Sequence, residues 1–232
     1  MDRPTEWLVV ELPDTNTSDF QDLDSPEGQK LGAFLDAIDS FDEWYPPEVG
    51  WAIPREARQL WVVTSWSFAK HLEEYKASPK YPQHLAILQS LAAKNLPIKV
   101  TQFRGFSNGF ISKFTPWTCL FDAYLPLTLS DDTLRRLSDM RAFRPFVIHL
   151  SDTHGQRALC TDGVYKHENV SIVRFANFWK DGEREERFKL LNGGPTKAWK
   201  LLLAQLEELG MKGYDEWHVN FQQRPPELED DE

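Results

Sequence analysis

Cysteine is scarce in this chain. Two residues in 232, Cys119 and Cys160, exclude a disulfide-dense secreted scaffold. They fit a reducing compartment with free thiols, and a single disulfide between them stays open. No Cys-x-x-Cys pair occurs, and no glycine-rich phosphate loop follows a strand. A nucleotide enzyme is therefore not expected, nor is a serine hydrolase. Basic residues are outnumbered, 26 against 36 acidic, and the net charge of −10 argues against a nucleic-acid backbone or an anionic membrane as partner. Much of the acidity sits in Asp14 to Glu27 and in the tail Glu227 to Glu232, which read as solvated segments. No apolar run reaches the length of a membrane span. Met1 to Glu6 carries no long apolar stretch after a basic start, so the expectation is a soluble, cytoplasmic chain.

Aromatic residues, by contrast, are plentiful: nine Trp, fifteen Phe and six Tyr. They serve either sheet-to-helix packing or a flat apolar ligand pocket. The chain also repeats itself. Leu60 to Trp66 reads as a strand, Ser67 to Ala77 as a short helix, Tyr81 to Lys94 as a longer helix and Ile98 to Phe103 as a strand. The same series returns at Ser171 to Trp179, Asp181 to Leu191, Thr196 to Leu209 and Trp217 to Phe221. Trp66 maps on Trp179, and Leu12-Pro13 on Leu125-Pro126, at an offset of 113 residues. The Asn192-Gly193-Gly194-Pro195 break lengthens the second copy, so that Phe103 is aligned with Phe221.

Each copy opens with another strand. In Glu6 to Leu12, Leu8, Val10 and Leu12 face one way, and Trp7, Val9 and Glu11 the other. Ser25-Pro26-Glu27 starts a helix with an N-cap, a proline at the first position and an acid in the first turn. Its stripe is Leu31, Phe34, Leu35 and Ile38. Trp44 to Pro54 reads as an edge strand or extended loop. Trp117 to Leu125 repeats the first strand, and Ser130 caps a helix running to about Phe143. Each half therefore reads strand, helix, two strands, helix, strand, the ferredoxin-like order. The expected organisation is 1–104 for the first repeat, 105–116 for a connector, 117–223 for the second repeat and 224–232 for a disordered acidic tail.

Three stretches carry a resemblance: Val62-Val63-Thr64-Ser65-Trp66-Ser67, Glu74 to Tyr81, and Val100-Thr101-Gln102-Phe103. They resemble the dimeric α+β barrel superfamily, most of all its antibiotic biosynthesis monooxygenase-like members, fused in tandem. The resemblance implies an α+β chain whose two ferredoxin-like repeats form an intramolecular dimeric α+β barrel, monomeric because one chain supplies both halves. It also implies an enzyme of small-molecule, secondary metabolism. Its ligand would be apolar, aromatic or polyketide-like. The reaction would be acid–base cyclisation or isomerisation, or monooxygenation, without a bound cofactor. The rival class is a non-catalytic ligand-binding or structural pseudo-dimer. A third is a haem protein, with His71 as the axial ligand.

The family cavity lies between a half's sheet and its helices. In the related cyclase a Tyr on the short helix and a His after the helix break act on the substrate. The Tyr position falls on Tyr75 and the His position on Tyr81, a departure, since a phenol is a poor base at neutral pH. His84 lies three residues further on. Phe188 stands where the second half would carry Tyr75. That half offers Asp122 and His218 instead, on strands that the 4-1-3-2 order makes neighbours. Asp122 would orient His218 as general base, with Asn177 to hold a carbonyl or oxyanion. Trp66, Trp179 and Phe175 would line the substrate pockets. His149, Asp152 and His154 cluster, but in no zinc-ligand spacing, and no metal is expected.

Overall fold

A computed structural model of the protein describes residues 3–13, 22, 24–41, 47–93, 96–106, 115–140, 156–190 and 194–223. The first half runs β1 (Arg3–Glu11), α1 (Pro26–Asp39), β2 (Glu48–Ala52), β3 (Gln59–Ser65), α2 (Ala69–Ala77), α3 (Lys80–Gln89) and β4 (Lys99–Phe106). The second runs β5 (Trp117–Pro126), α4 (Asp131–Asp139), β6 (Gln156–Tyr165), β7 (Glu168–Trp179), α5 (Gly182–Leu190), α6 (Gly194–Glu208) and β8 (Gly213–Val219), followed by the short β9 (Gln222–Gln223).

Local chemistry sets the elements where the sequence says it should. The Ser25 hydroxyl accepts from the Gly28 amide at 2.9 Å, and Leu31, Phe34, Leu35 and Ile38 are all buried. Ser130 caps α4 in the same way. In β1 the alternation separates two cores. Leu8, Val10 and Leu12 pack under the first-half helices, whereas Trp7 turns to the opposite face.

One antiparallel sheet takes the order β8-β5-β7-β6-β4-β1-β3-β2-β9. Each half contributes the 4-1-3-2 arrangement, and the halves join edge to edge at β4 and β6. Gly105 makes that seam possible. Its φ is +116°, and an added Cβ would lie 3.1 Å from the Arg157 carbonyl oxygen. At the other end β9, the continuation of β8, pairs with β2. The curled sheet encloses a core drawn from both halves. Trp7, Trp61, Phe103 and Phe106 meet Leu120, Tyr124, Phe178, Val219 and Phe221. Trp7 and Phe221 are edge to face at 5.8 Å. The helices cover the outer face, over one core per half. This is an α+β architecture of two ferredoxin-like repeats forming a single intramolecular barrel.

Several boundaries differ from the sequence expectation. The last strand is Gly213–Val219, not Trp217 to Phe221. Thr5 lies opposite Phe103, and its counterpart Thr118 lies opposite Val219, so Phe103 corresponds to Val219, not to Phe221. The aromatic match misled because Phe103 and Phe221 both point into the barrel core. β2 is no free edge, since β9 covers it. Residues 105–106, expected in the connector, belong to β4. Cys119 and Cys160 are free thiols, on opposite faces of the sheet. His149, Asp152, His154 and the tail 224–232 lie outside the described residues.

Among the described residues both sheet faces are covered from within the chain, so neither needs a second copy to cover it. Light scattering should therefore return the mass of a monomer at micromolar concentration. A stable dimer that persists on dilution would contradict this.

Candidate functional site

The first half gathers a polar cluster between its sheet and its helices. Tyr75, on α2, brings its hydroxyl to 3.0 Å from Nδ1 of His84, on α3. Tyr75 is 1% exposed and His84 6%. Trp66 stacks on the Tyr75 ring at 5.0 Å, and Phe41 and Tyr81 close on it edge to face. On β1, Glu6 is fully buried on the same side as Leu8 and Val10. One of its carboxylate oxygens accepts from the Tyr81 hydroxyl at 3.0 Å and lies 3.3 Å from Nζ of Lys76. The other, Oε2, is buried with no hydrogen-bond partner among the described residues.

These surroundings set the protonation states. Burial raises the Glu6 carboxyl above its ordinary value, against the pull of Lys76 and the Tyr81 hydrogen bond. Burial, then the nearby Glu6 charge, pushes the Tyr75 and Tyr81 phenols well above theirs. Burial, with Lys80 nearby, lowers His84, so its imidazole is neutral at pH 7. A neutral imidazole on a phenol, beside a carboxyl with an unused oxygen, can accept a proton and steady an oxyanion.

The second half uses the same place differently. Cys119 stands at the position of Glu6, Phe188 at that of Tyr75 and Lys189 at that of Lys76, each by the offset of 113. Lys189 donates to Glu185 Oε1 at 2.6 Å and also contacts Glu216. His218 is pinned. Its Nε2 lies 3.0 Å from Glu185 Oε2, and its Nδ1 meets Glu56, which reaches over from the first half. The hydrogen bonds to Glu185 and Glu56 outweigh burial and raise His218 to about 9. Glu185 is held well below the usual carboxylate range. Burial opposes this, but His218, Lys189 and Trp117 together prevail. Trp117, Glu185, Lys189 and His218 line an open cleft of about 650 Å³.

The proposed pairing of Asp122 with His218 does not form. Asp122 lies opposite Asp215 on β8, while His218 lies opposite Cys119, three positions away. An odd offset puts the two side chains on opposite faces of the sheet. Asp122 points into the barrel and binds Arg174 through two 2.7 Å hydrogen bonds. As a protonated group between two carboxylates, His218 is also no free base. Asn177 and Phe175 lie on the helix side of β7, with Asn177 directly opposite Cys119. Trp179 ends β7, and Trp66 directly follows the equivalent β3; both are buried.

Sequence reading passed over Glu6, Lys76, Glu56, Glu185, Lys189 and Glu216. Glu6 had a visible signal, an acid in phase with Leu8, Val10 and Leu12. The two lysines had another, their shared offset. The expectation of no serine hydrolase rests on the absence of a Gly-x-Ser-x-Gly motif, and the sequence contradicts that absence. Gly105-Phe106-Ser107-Asn108-Gly109 has the Gly-x-Ser-x-Gly spacing of a nucleophile elbow. That device needs a strand-to-helix turn. Here Gly105 and Phe106 end β4, the next described element is the strand β5, and residues 107–109 lie outside the described residues.

No family model matches the chain, and no curated protein does. Solved structures do. A candidate monooxygenase from Fusobacterium nucleatum superposes with a TM-score of 0.51 at 7% identity, over 96% of this chain and 94% of that one. For a candidate monooxygenase from Lactobacillus acidophilus the values are 0.53 and 8%, over 95% and 94%. An anthrone oxidase-like protein gives 0.53 and 12%, over 97% and 95%. The chain has the dimeric α+β barrel fold. At 7–12% identity the likeness is one of fold, and one fold hosts many activities. No described helix is long and apolar enough to cross a membrane.

Proposed function

We propose that the first half is an acid–base site for an apolar, aromatic or polyketide-like small molecule, centred on Tyr75 and His84. The observation that carries this is the 3.0 Å contact between the Tyr75 hydroxyl and His84 Nδ1, inside an aromatic shell and beside the unpartnered oxygen of Glu6. The related cyclase uses a Tyr and a His in this region. The His expected at Tyr81 is missing, and His84, one helical turn later on α3, reaches the same phenol.

His84 takes a proton from a carbon or hydroxyl activated by a carbonyl, and Tyr75 donates to the oxygen on which the charge collects. With the proton on Nδ1, the imidazole donates to Tyr75, and the phenol hydrogen is free for the substrate. With it on Nε2, the phenol donates to Nδ1 and relays. Glu6, raised by burial, takes up or returns the second proton. The resulting enolate can close on an internal carbonyl, which is cyclisation. It can also pass an electron to dioxygen, which opens cofactor-independent oxygenation. Likeness to candidate monooxygenases and an anthrone oxidase-like protein supports keeping the oxygenation outcome. The rival reading, a non-catalytic pseudo-dimer, rests on how tightly Tyr75 is enclosed.

The test begins with native mass spectrometry of the protein as purified, to identify what it retains. That compound, or phenolic polyketide surrogates, is then incubated with and without dioxygen. Turnover in both atmospheres marks cyclisation or isomerisation, and turnover in air alone marks oxygenation. Absence of turnover in either, with ligand bound, would leave the pseudo-dimer reading standing. Because His84 is neutral, the acid limb of kcat/KM should fall below pH 6.5, the ordinary imidazole value. An acid limb above 6.5 would count against His84 as the base.

A further inference from the structure

The second-half cleft holds a second, unrelated constellation. Cys119 Sγ, His218 Nε2 and one carboxylate oxygen each of Glu185 and Glu216 lie within 4.8 Å of one another. Three of these residues stand on the adjacent strands β5 and β8, and α5 supplies Glu185. We propose that these four side chains form a binding site for one divalent transition-metal ion of the zinc class.

The donor chemistry fits. One sulfur, one imidazole nitrogen and two carboxylate oxygens suit a tetrahedral ion of borderline softness, and exclude calcium or magnesium as the preferred occupant. In a filled tetrahedral site such atoms stand about 3.5 Å apart, so the cluster must tighten by roughly 1 Å. Cys119 and His218 are already directly opposed in the strand register.

The outer contacts point the same way. Metal-bound histidines are usually fixed through their other nitrogen by a carboxylate. Here Glu56 holds His218 Nδ1, which leaves Nε2 toward the cluster. Glu185 is likewise oriented by the Trp117 indole N–H at 2.5 Å. Next to Cys119 on the same face, Asn177 is 2% exposed, and its Oδ1 has no partner among the described residues. That oxygen is an unfilled acceptor for the ion or its water.

Formal charge also balances. A thiolate and two carboxylates meet a divalent ion and the Lys189 ammonium. Lys189 now occupies part of this space, bonded to Glu185 and in contact with Glu216. The face of Trp199, 5.2 Å from its Nζ, gives it a place to withdraw to. Binding requires a thiolate and a neutral imidazole, so uptake releases protons. No short sequence spacing reveals the site, because its members span residues 119 to 218.

The test uses the full chain, stripped with a chelator and titrated with cobalt(II), then with zinc(II) in competition. We expect one ion per chain, a thiolate-to-cobalt charge-transfer band and its loss on zinc addition. Cys119→Ser should abolish the band, and Cys160→Ser should keep it. Glu56→Gln should weaken affinity about 10- to 100-fold. Should Cys119→Ser fail to fold, Glu216→Gln decides through the affinity alone. No thiolate band in the parent, or a band or affinity unchanged in these ligand variants, overturns the site. His84→Ala should leave the band intact, so failure here and failure of the first-half proposal can be told apart.

Discussion

Asp122→Ala is expected to cost about 3–5 kcal/mol of folding stability, the loss typical when one partner of a buried ion pair is removed. Asp122 and Arg174 are 3% and 7% exposed, at the centre of the barrel. Their two hydrogen bonds are the main compensation for desolvating both charges. Truncating the carboxylate strands a guanidinium among rings from the other half: Trp7 at 4.1 Å, Phe103 at 4.5 Å and Trp61 at 5.3 Å. In a chain of this size the loss corresponds to a fall in melting temperature of roughly 6–20 °C. The double variant Asp122→Leu with Arg174→Met should recover much of it, because the pair is then removed together. Calorimetry of the parent, Asp122→Leu, Arg174→Met and the double variant closes the cycle. Additive losses would mean that the pair is not coupled, and that Arg174 is held by the rings alone.

The largest kinetic effect should come from His84→Ala. A positioned general base contributes about 100- to 10,000-fold, and a loss of this order is expected in kcat with the fold retained. Tyr75→Phe keeps the ring on Trp66 and removes the phenol, so it isolates the oxyanion contact, worth about 100- to 1,000-fold for a comparable donor. Tyr81→Phe should act more weakly, since it keeps the ring against Tyr75 and removes only the hydroxyl bonded to Glu6. His218→Ala should leave turnover unchanged. Parent-like turnover in His84→Ala and Tyr75→Phe would remove the first-half site from consideration, and a loss on His218→Ala alone would move the chemistry to the other cleft.

Much of the fold was legible because its signals are local. Ser25 and Ser130 announced their helices through capping, and Leu8, Val10 and Leu12 declared a buried face through alternation. The 113-residue offset exposed the duplication. Register was not legible, since nothing in Trp217 or His218 says which residue of β5 will lie opposite. That single unknown sent Asp122 and His218 to opposite faces, and it aligned Phe103 with the wrong partner. The site was half legible for a similar reason. Tyr75 could be placed on its helix, but its contact with His84, nine positions further on, depends on how α2 and α3 pack. The Cys119 cluster depends on three elements meeting, and no pattern within any of them records the others.

Trp61 and Arg174 are counterparts, separated by the same 113 residues, and the guanidinium of one lies over the ring of the other. Equivalent residues that touch must sit beside the approximate two-fold axis relating the halves. In an isologous homodimer the residue at such a position can only meet itself. Two copies of the second half would confront arginine with arginine, and two of the first would confront tryptophan with tryptophan. A complementary cation and aromatic ring across the axis is open only to a heterologous pair, which the covalent tandem guarantees at one-to-one stoichiometry. Fusion thus freed the centre of the barrel from self-complementarity, and with it the two flanking sites. One now carries Glu6 and Tyr75, and the other carries Cys119 and Phe188 in their places.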